Sequence, residues 1–121
     1  MIETSLMTHL KSVLASQVAD RVFYVTAPQK VEAPYVVFRK TPLTPFYAHD
    51  GAAGMAQSHF EFYIYAETYK GCKDIVALFD LTNGTLEGTV IGSCMKTGEN
   101  DGYENSLFVI ELDYLIIHQE D

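Results

Sequence analysis

The sequence predicts an α+β domain built on one mainly antiparallel sheet with helices packed on a face. Three observations carry this. Apolar residues recur at helical spacing in two separate stretches, the segments between and after them alternate with the two-residue period of strands, and turn-forming residues punctuate the changes. The predicted order is α-β-β-β-α-β-β within a single domain, residues 1–121.

The elements follow in chain order. Ile2, Leu6, Leu10, Val13, Leu14 and Val18 lie at spacings of three and four, which puts them on one stripe of an amphipathic helix from about Ile2 to Ala19, closed by Asp20. Arg21 to Val25 is β-branched and aromatic, a short strand stopped by Thr26-Ala27-Pro28. Pro34 favours extended backbone before it and opens a strand over Tyr35–Thr41. In Gln57–Ala66, Phe60, Phe62, Ile64 and Ala66 share the core face, while His59, Glu61, Tyr63 and Tyr65 share a wetter, aromatic one. Cys72, Ile75, Val76, Leu78 and Phe79 define a second helix from Glu67 to Thr82, with Asn83-Gly84 as its stop. Leu86 to Thr97 reads as a glycine-weakened strand suited to a sheet edge. Gly98 to Gly102 reads as a hairpin turn, with Asp101-Gly102 as its strongest signal. The last strand carries Phe108, Ile110, Leu112, Tyr114 and Ile116 on one face and is apolar at both ends, which predicts a central position.

Between the second and third strands runs Pro42 to Ala56, a long connection with Phe46, Tyr47 and Met55 in it. Loops of that length in compact domains usually carry a binding role or are disordered tethers, and Phe46, Tyr47 and Met55 favour binding, because apolar groups at a loop tip generally find partners. Phe46, Tyr47, His49 and Met55 are the candidate oligomer or partner contacts.

Composition limits the function classes. The chain is 48% hydrophobic and 20% charged, an ordinary globular composition. Sixteen Asp and Glu against eight Lys and Arg give a formal charge of −8, which disfavours nucleic-acid or anionic-membrane binding, since both require clustered cations. A basic leader and a long apolar run are both missing, so the sequence points to folding in the cytosol. Cys72 and Cys94 have no metal-ligand spacing and read as buried thiols. Asn83-Gly84-Thr85 matches a glycosylation acceptor but reads better as a helix end.

Four blocks give the chain a family likeness: the leading helix ending near Asp20-Arg21-Val22-Phe23; Ala27-Pro28 followed by Ala33-Pro34-Tyr35-Val36-Val37-Phe38; the strand Tyr63-Ile64-Tyr65-Ala66 running through Glu67-Thr68-Tyr69 into a helix; and the closing hairpin. In these it resembles the tail completion proteins of long-tailed phages, also called tail terminators or head–tail joining proteins. The resemblance implies a non-enzymatic structural protein of virion assembly. It implies a homo-oligomeric ring, typically of six, on the head-proximal end of the tail tube, which ends tube growth and offers a docking surface to the head–tail connector or stopper. The expected location is the head–tail interface of the virion, assembled in the bacterial cytoplasm with no membrane partner. DNA would pass through the lumen without specific binding, because acidic walls repel phosphate.

Two other classes stay open. A small metal-dependent enzyme could use His49, Asp50, His59 and Glu61, since positions i and i+2 of a strand share a face; a monomeric adaptor domain needs neither ring nor metal. His9 and His118 read as surface residues. Cys94 lacks an electropositive helix start, Glu99–Gly102 lacks the ligand ladder of a calcium loop, and Gly84–Thr89 lacks the lysine of a phosphate loop. Tyr63, Tyr65 and Tyr69 have few nearby cations and read as core rim or subunit contact, not as a base-stacking platform. The sequence therefore predicts no catalytic residue, cofactor or metal.

Overall fold

The computed structural model describes residues 2–41, 55–79, 84–86 and 89–119. It is an α+β domain. The leading helix spans α1 (Ile2–Val13) and a further turn, α2 (Ala15–Val18), interrupted at Leu14. Ile2, Leu6, Leu10, Leu14 and Val18 are all buried in one line, and each buried leucine contributes roughly 1.5–3 kcal/mol. Ala19 ends the helix with φ 56°. The strands β1 (Val22–Tyr24), β2 (Tyr35–Thr41) and β3 (Met55–Ala66) lead into α3 (Tyr69–Val76), followed by β4 (Gly84–Leu86), β5 (Thr89–Glu104) and β6 (Leu107–Gln119).

The six strands form one sheet in the order β1-β2-β3-β6-β5-β4. Only β1 and β2 pair in parallel; the other neighbours are antiparallel. The central place expected for the last strand is confirmed, with β6 between β3 and β5. Val36, Phe38, Phe60, Phe62, Ile64, Ile110, Leu112 and Ile116 are buried on one face and join the buried residues of α1, α2 and α3 in a single core. Phe38 and Phe62 stack at 5.5 Å, with the edges of Phe79 and Tyr114 against Phe62.

Several boundaries differ from the sequence reading. The second helix is shorter than Glu67–Thr82: it runs Tyr69–Val76, starting where the Thr68 hydroxyl accepts a bond from the Gly71 N–H at 2.9 Å, a cap that stabilises a helix by about 1 kcal/mol. Gly84 opens β4 instead of closing that helix; Asn83 lies outside the described residues. The segment Leu86–Thr97 is not one strand: β4 ends at Leu86, and β5 starts at Thr89 and runs through to Glu104. β4 flanks β5 only from Thr89 to Ile91, so among the described residues the rest of β5 has the edge position expected. The hairpin turn is Asn105-Ser106, with φ 51° and 65°, so Asp101-Gly102 belongs to strand β5. Two consecutive left-handed residues make the type I′ turn that matches strand twist. Met55 and Ala56, read as loop, begin β3 and pair with Gln119 and His118.

Candidate functional site: the open sheet face

Because the helices share one side of the sheet, the other side carries no helix among the described residues. Its composition follows from alternation along β2, β3 and β6. Tyr35, Tyr65 and Val109 form one cross-strand row, Val37, Tyr63 and Glu111 the next, Arg39, Glu61 and Asp113 a third, and Thr41, His59 and Leu115 a fourth. Aromatic and apolar groups thus gather at one end of the face, beside a polar centre, with Thr41, His59 and Leu115 beyond it.

At that centre Arg39 Nε donates to Glu61 Oε1 at 2.9 Å, and the Tyr63 hydroxyl donates to the same oxygen at 2.9 Å. Glu61, Glu111 and Asp113 each bring one carboxylate oxygen within 4.8 Å of the others. Among the described residues Asp113 Oδ1 is buried without a hydrogen-bond partner. Burial, then a hydrogen bond with Asp113 and the charges of Asp113 and Glu61, push the Glu111 carboxyl up to about 7. Burial first, then the hydrogen bond to Glu61, pushes the Tyr63 phenol up to about 12. The spacing of the three acids suits a hard divalent cation. An ion there would compete with the Arg39 guanidinium for Glu61 and with a proton for Glu111.

At one end of the face Tyr35 and Tyr65 stack at 4.8 Å, and the Tyr65 hydroxyl donates to Glu104 at 3.2 Å. Burial and Glu104 push the Tyr65 phenol up to about 12. On the helix side of the same end, Tyr69 and Tyr103 flank Phe108, and Tyr69 donates to Asp101 at 3.0 Å.

Of the residues expected to form contacts, Phe46, Tyr47 and His49 lie outside the described residues, as does Asp50. Met55 is placed by its backbone in β3. His59 meets the Thr41 hydroxyl through Nδ1 at 2.7 Å, and Glu61 meets Arg39 and Tyr63, so the described half of the His49/Asp50/His59/Glu61 group is bound up in local pairs. His118, read as a surface residue, is buried with Nε2 2.8 Å from Ser58 Oγ; its parity with Ile110, Leu112 and Ile116 was the available signal. His9 is half-buried. Cys72 is buried as expected, whereas Cys94 is only partly so; burial pushes its thiol up to about 11, unlike a reactive cysteine. The Glu61, Glu111 and Asp113 cluster went unread. The shared parity of Glu111 and Asp113 was visible, but their approach to Glu61 depends on strand register.

No helix among the described residues is long and apolar enough to cross a membrane. No protein-family model matches the sequence, and no curated protein matches it. The fold is similar to that of a chain in the virion of a native gene transfer agent particle, with a TM-score of 0.67 at 16% identity over 97% of this chain and 96% of that one. A second solved chain shares it with a TM-score of 0.62 at 12% identity, over 99% of this chain and 94% of that one.

Proposed function

We propose that this chain is a structural, non-enzymatic virion protein of the tail completion class, forming a ring, of six subunits by the family likeness, at the head-proximal end of a tail tube. In that position it would end tube growth and present the docking surface for the head connector or stopper. The observation that carries the reading is the end-to-end likeness of fold to a chain of a gene transfer agent virion, with almost nothing added or missing on either side. Shared fold alone does not fix function. The family likeness of the sequence blocks supplies the specific role, and the acid excess of 16 carboxylates over 8 cations suits a lumen that DNA must traverse without sticking.

Negative-stain imaging of tails from cells with and without the gene tests this reading. Tails of uniform length bearing a ring at the head-proximal end are expected with the gene, and overlong or unjoined tails without it. Normal tails and infectious particles in its absence would overturn the assignment.

A further inference from the structure

Among the described residues, the hairpin β5–β6 leaves one strand edge open. β4 pairs with β5 only from Thr89 to Ile91, whereas β6 accompanies β5 from Ile91 to Glu104. Beyond Ile91, therefore, β5 has a neighbour on one side only among the described residues. Past the register shift between Lys96 and Gly98 the pairing is regular up to the turn. That turn fixes which backbone groups face outward. Glu104 and Leu107 flank the two-residue turn, and in such a hairpin the flanking pair is the hydrogen-bonded one. Alternation then turns Gly102, Asn100 and Gly98 towards β6, and points the N–H and C=O of Tyr103, Asp101 and Glu99 away from it.

The edge from Thr97 to Glu104 carries three carboxylates, Glu99, Asp101 and Glu104, and no cation. Lys96 and Lys73 already hold Glu99, and they draw its carboxyl below the usual range. Asp101 and Glu104 accept from tyrosine hydroxyls; among the described residues neither is in an ion pair, and the Asp101 charge is only partly offset by Lys73. Residues 100–104 are all exposed.

An open, regular edge is a template for an added strand. Self-pairing of this edge would set carboxylate against carboxylate. The opposite edge of the sheet is blunted, because the Val22 N–H donates to Asp20 O and the Thr26 N–H to Tyr24 O, each at 2.9 Å, occupying outward groups of β1. A second copy is therefore a poor occupant at β1 and at the β5 edge beyond Ile91.

We propose that the β5 edge from Gly98 to Glu104 accepts a cationic extended segment of another protein as an additional strand, hydrogen-bonded to Glu99, Asp101 and Tyr103, with Lys or Arg beside Asp101 and Glu104. This goes beyond the ring reading and does not rest on it.

Site-resolved amide exchange on the full chain tests the proposal with two probes of equal charge, acetyl-Lys-Lys-Val-Val-Lys-Lys-Val-Val-amide and the same peptide with Pro for Val. The amides of Glu99, Asp101 and Tyr103 are expected to exchange fast in the free protein. The Val peptide should slow them by roughly tenfold or more, and the Pro peptide should not. Asp101→Pro deletes an outward donor that the ladder to β6 does not use, so the fold should persist while the slowing at Glu99 and Tyr103 disappears; Asp101→Asn keeps the donor and should keep the slowing. Protection of these amides in the free protein, equal effects of the two peptides, no effect of either, or undiminished slowing in Asp101→Pro would each overturn the proposal. Should Asp101→Pro not fold, the comparison of peptides on the unaltered chain decides.

Discussion

Asp113 lies over Gly98 on the neighbouring strand, in the space a side chain at 98 would fill. A Cβ added there would sit 3.1 Å from Asp113 Oδ2, and Asp113 is in turn crowded by Glu111 and Glu61. Gly98→Ala pushes a carboxylate towards two others, and the larger Gly98→Val has less room still. We expect about 1 kcal/mol of destabilisation for Ala and about 2–3 kcal/mol for Val, read from the midpoint of urea unfolding. Equal stability of wild type and Gly98→Val would show that Asp113 moves aside freely.

Glu111 should make stability depend on pH in the neutral range. Its carboxyl is raised in the folded chain to about 7 from 4.5, so the folded state binds a proton that the unfolded state releases earlier. The contribution is complete below pH 4.5 and is lost as pH rises through about 7. The group is partly exposed, and solvent screening limits the change to about 1 kcal/mol. Glu111→Gln, whose amide can donate to Asp113 at every pH, should match wild type in acid and exceed it above neutrality. Thermal melts across that range check this; an unchanged difference between the two proteins at all pH values would remove Glu111 as the cause.

Ser58 and His118 meet inside the core, both buried, with 2.8 Å between Oγ and Nε2. Ser58→Ala takes the hydroxyl from a buried ring nitrogen and should cost about 1–3 kcal/mol, more than the same change at exposed Ser16. Chemical denaturation of the two variants makes the comparison.

The pattern of legibility has a physical basis. The Tyr35–Thr41 strand could be bounded in the sequence because Pro34 and strict alternation are local signals, and the buried line from Ile2 to Val18 is periodic over its whole length. The hairpin turn was misplaced because Asp101-Gly102 is the stronger local signal, yet both glycines serve close packing: Gly98 under Asp113, and Gly102 with its absent Cβ 3.2 Å from Val109 Cγ1. Register along the paired length of β5 and β6 prevails over turn preference. The Glu61–Glu111–Asp113 cluster joins β3 to β6, and such non-local pairing has no signature in either strand alone. Likewise Ser58 and His118 are 60 residues apart in sequence.

The segment after β2 can be shortened without removing a described residue of the sheet, provided the change stops before Met55. Thr41 is the last described residue of β2 and pairs with His59, whereas Met55 to Ser58 have β6 as their one partner strand among the described residues. Replacing residues 43–54 with a short Gly-Ser turn therefore removes Phe46, Tyr47 and His49 and leaves every described strand pair in place. Loop-closure entropy changes slowly with length, by about 0.6 kcal/mol per doubling, so thermal unfolding should stay within a few degrees of wild type. Assembly should fail instead, because aromatic anchors dominate an interface once a partner buries them. Phe46→Ser with Tyr47→Ser should act in the same direction while keeping the length. The assay pairs the melting curve with complementation for infectious particles. A folded variant that supports normal particle yield would take the segment out of the assembly mechanism, and an unfolded one would show that these residues belong to the core.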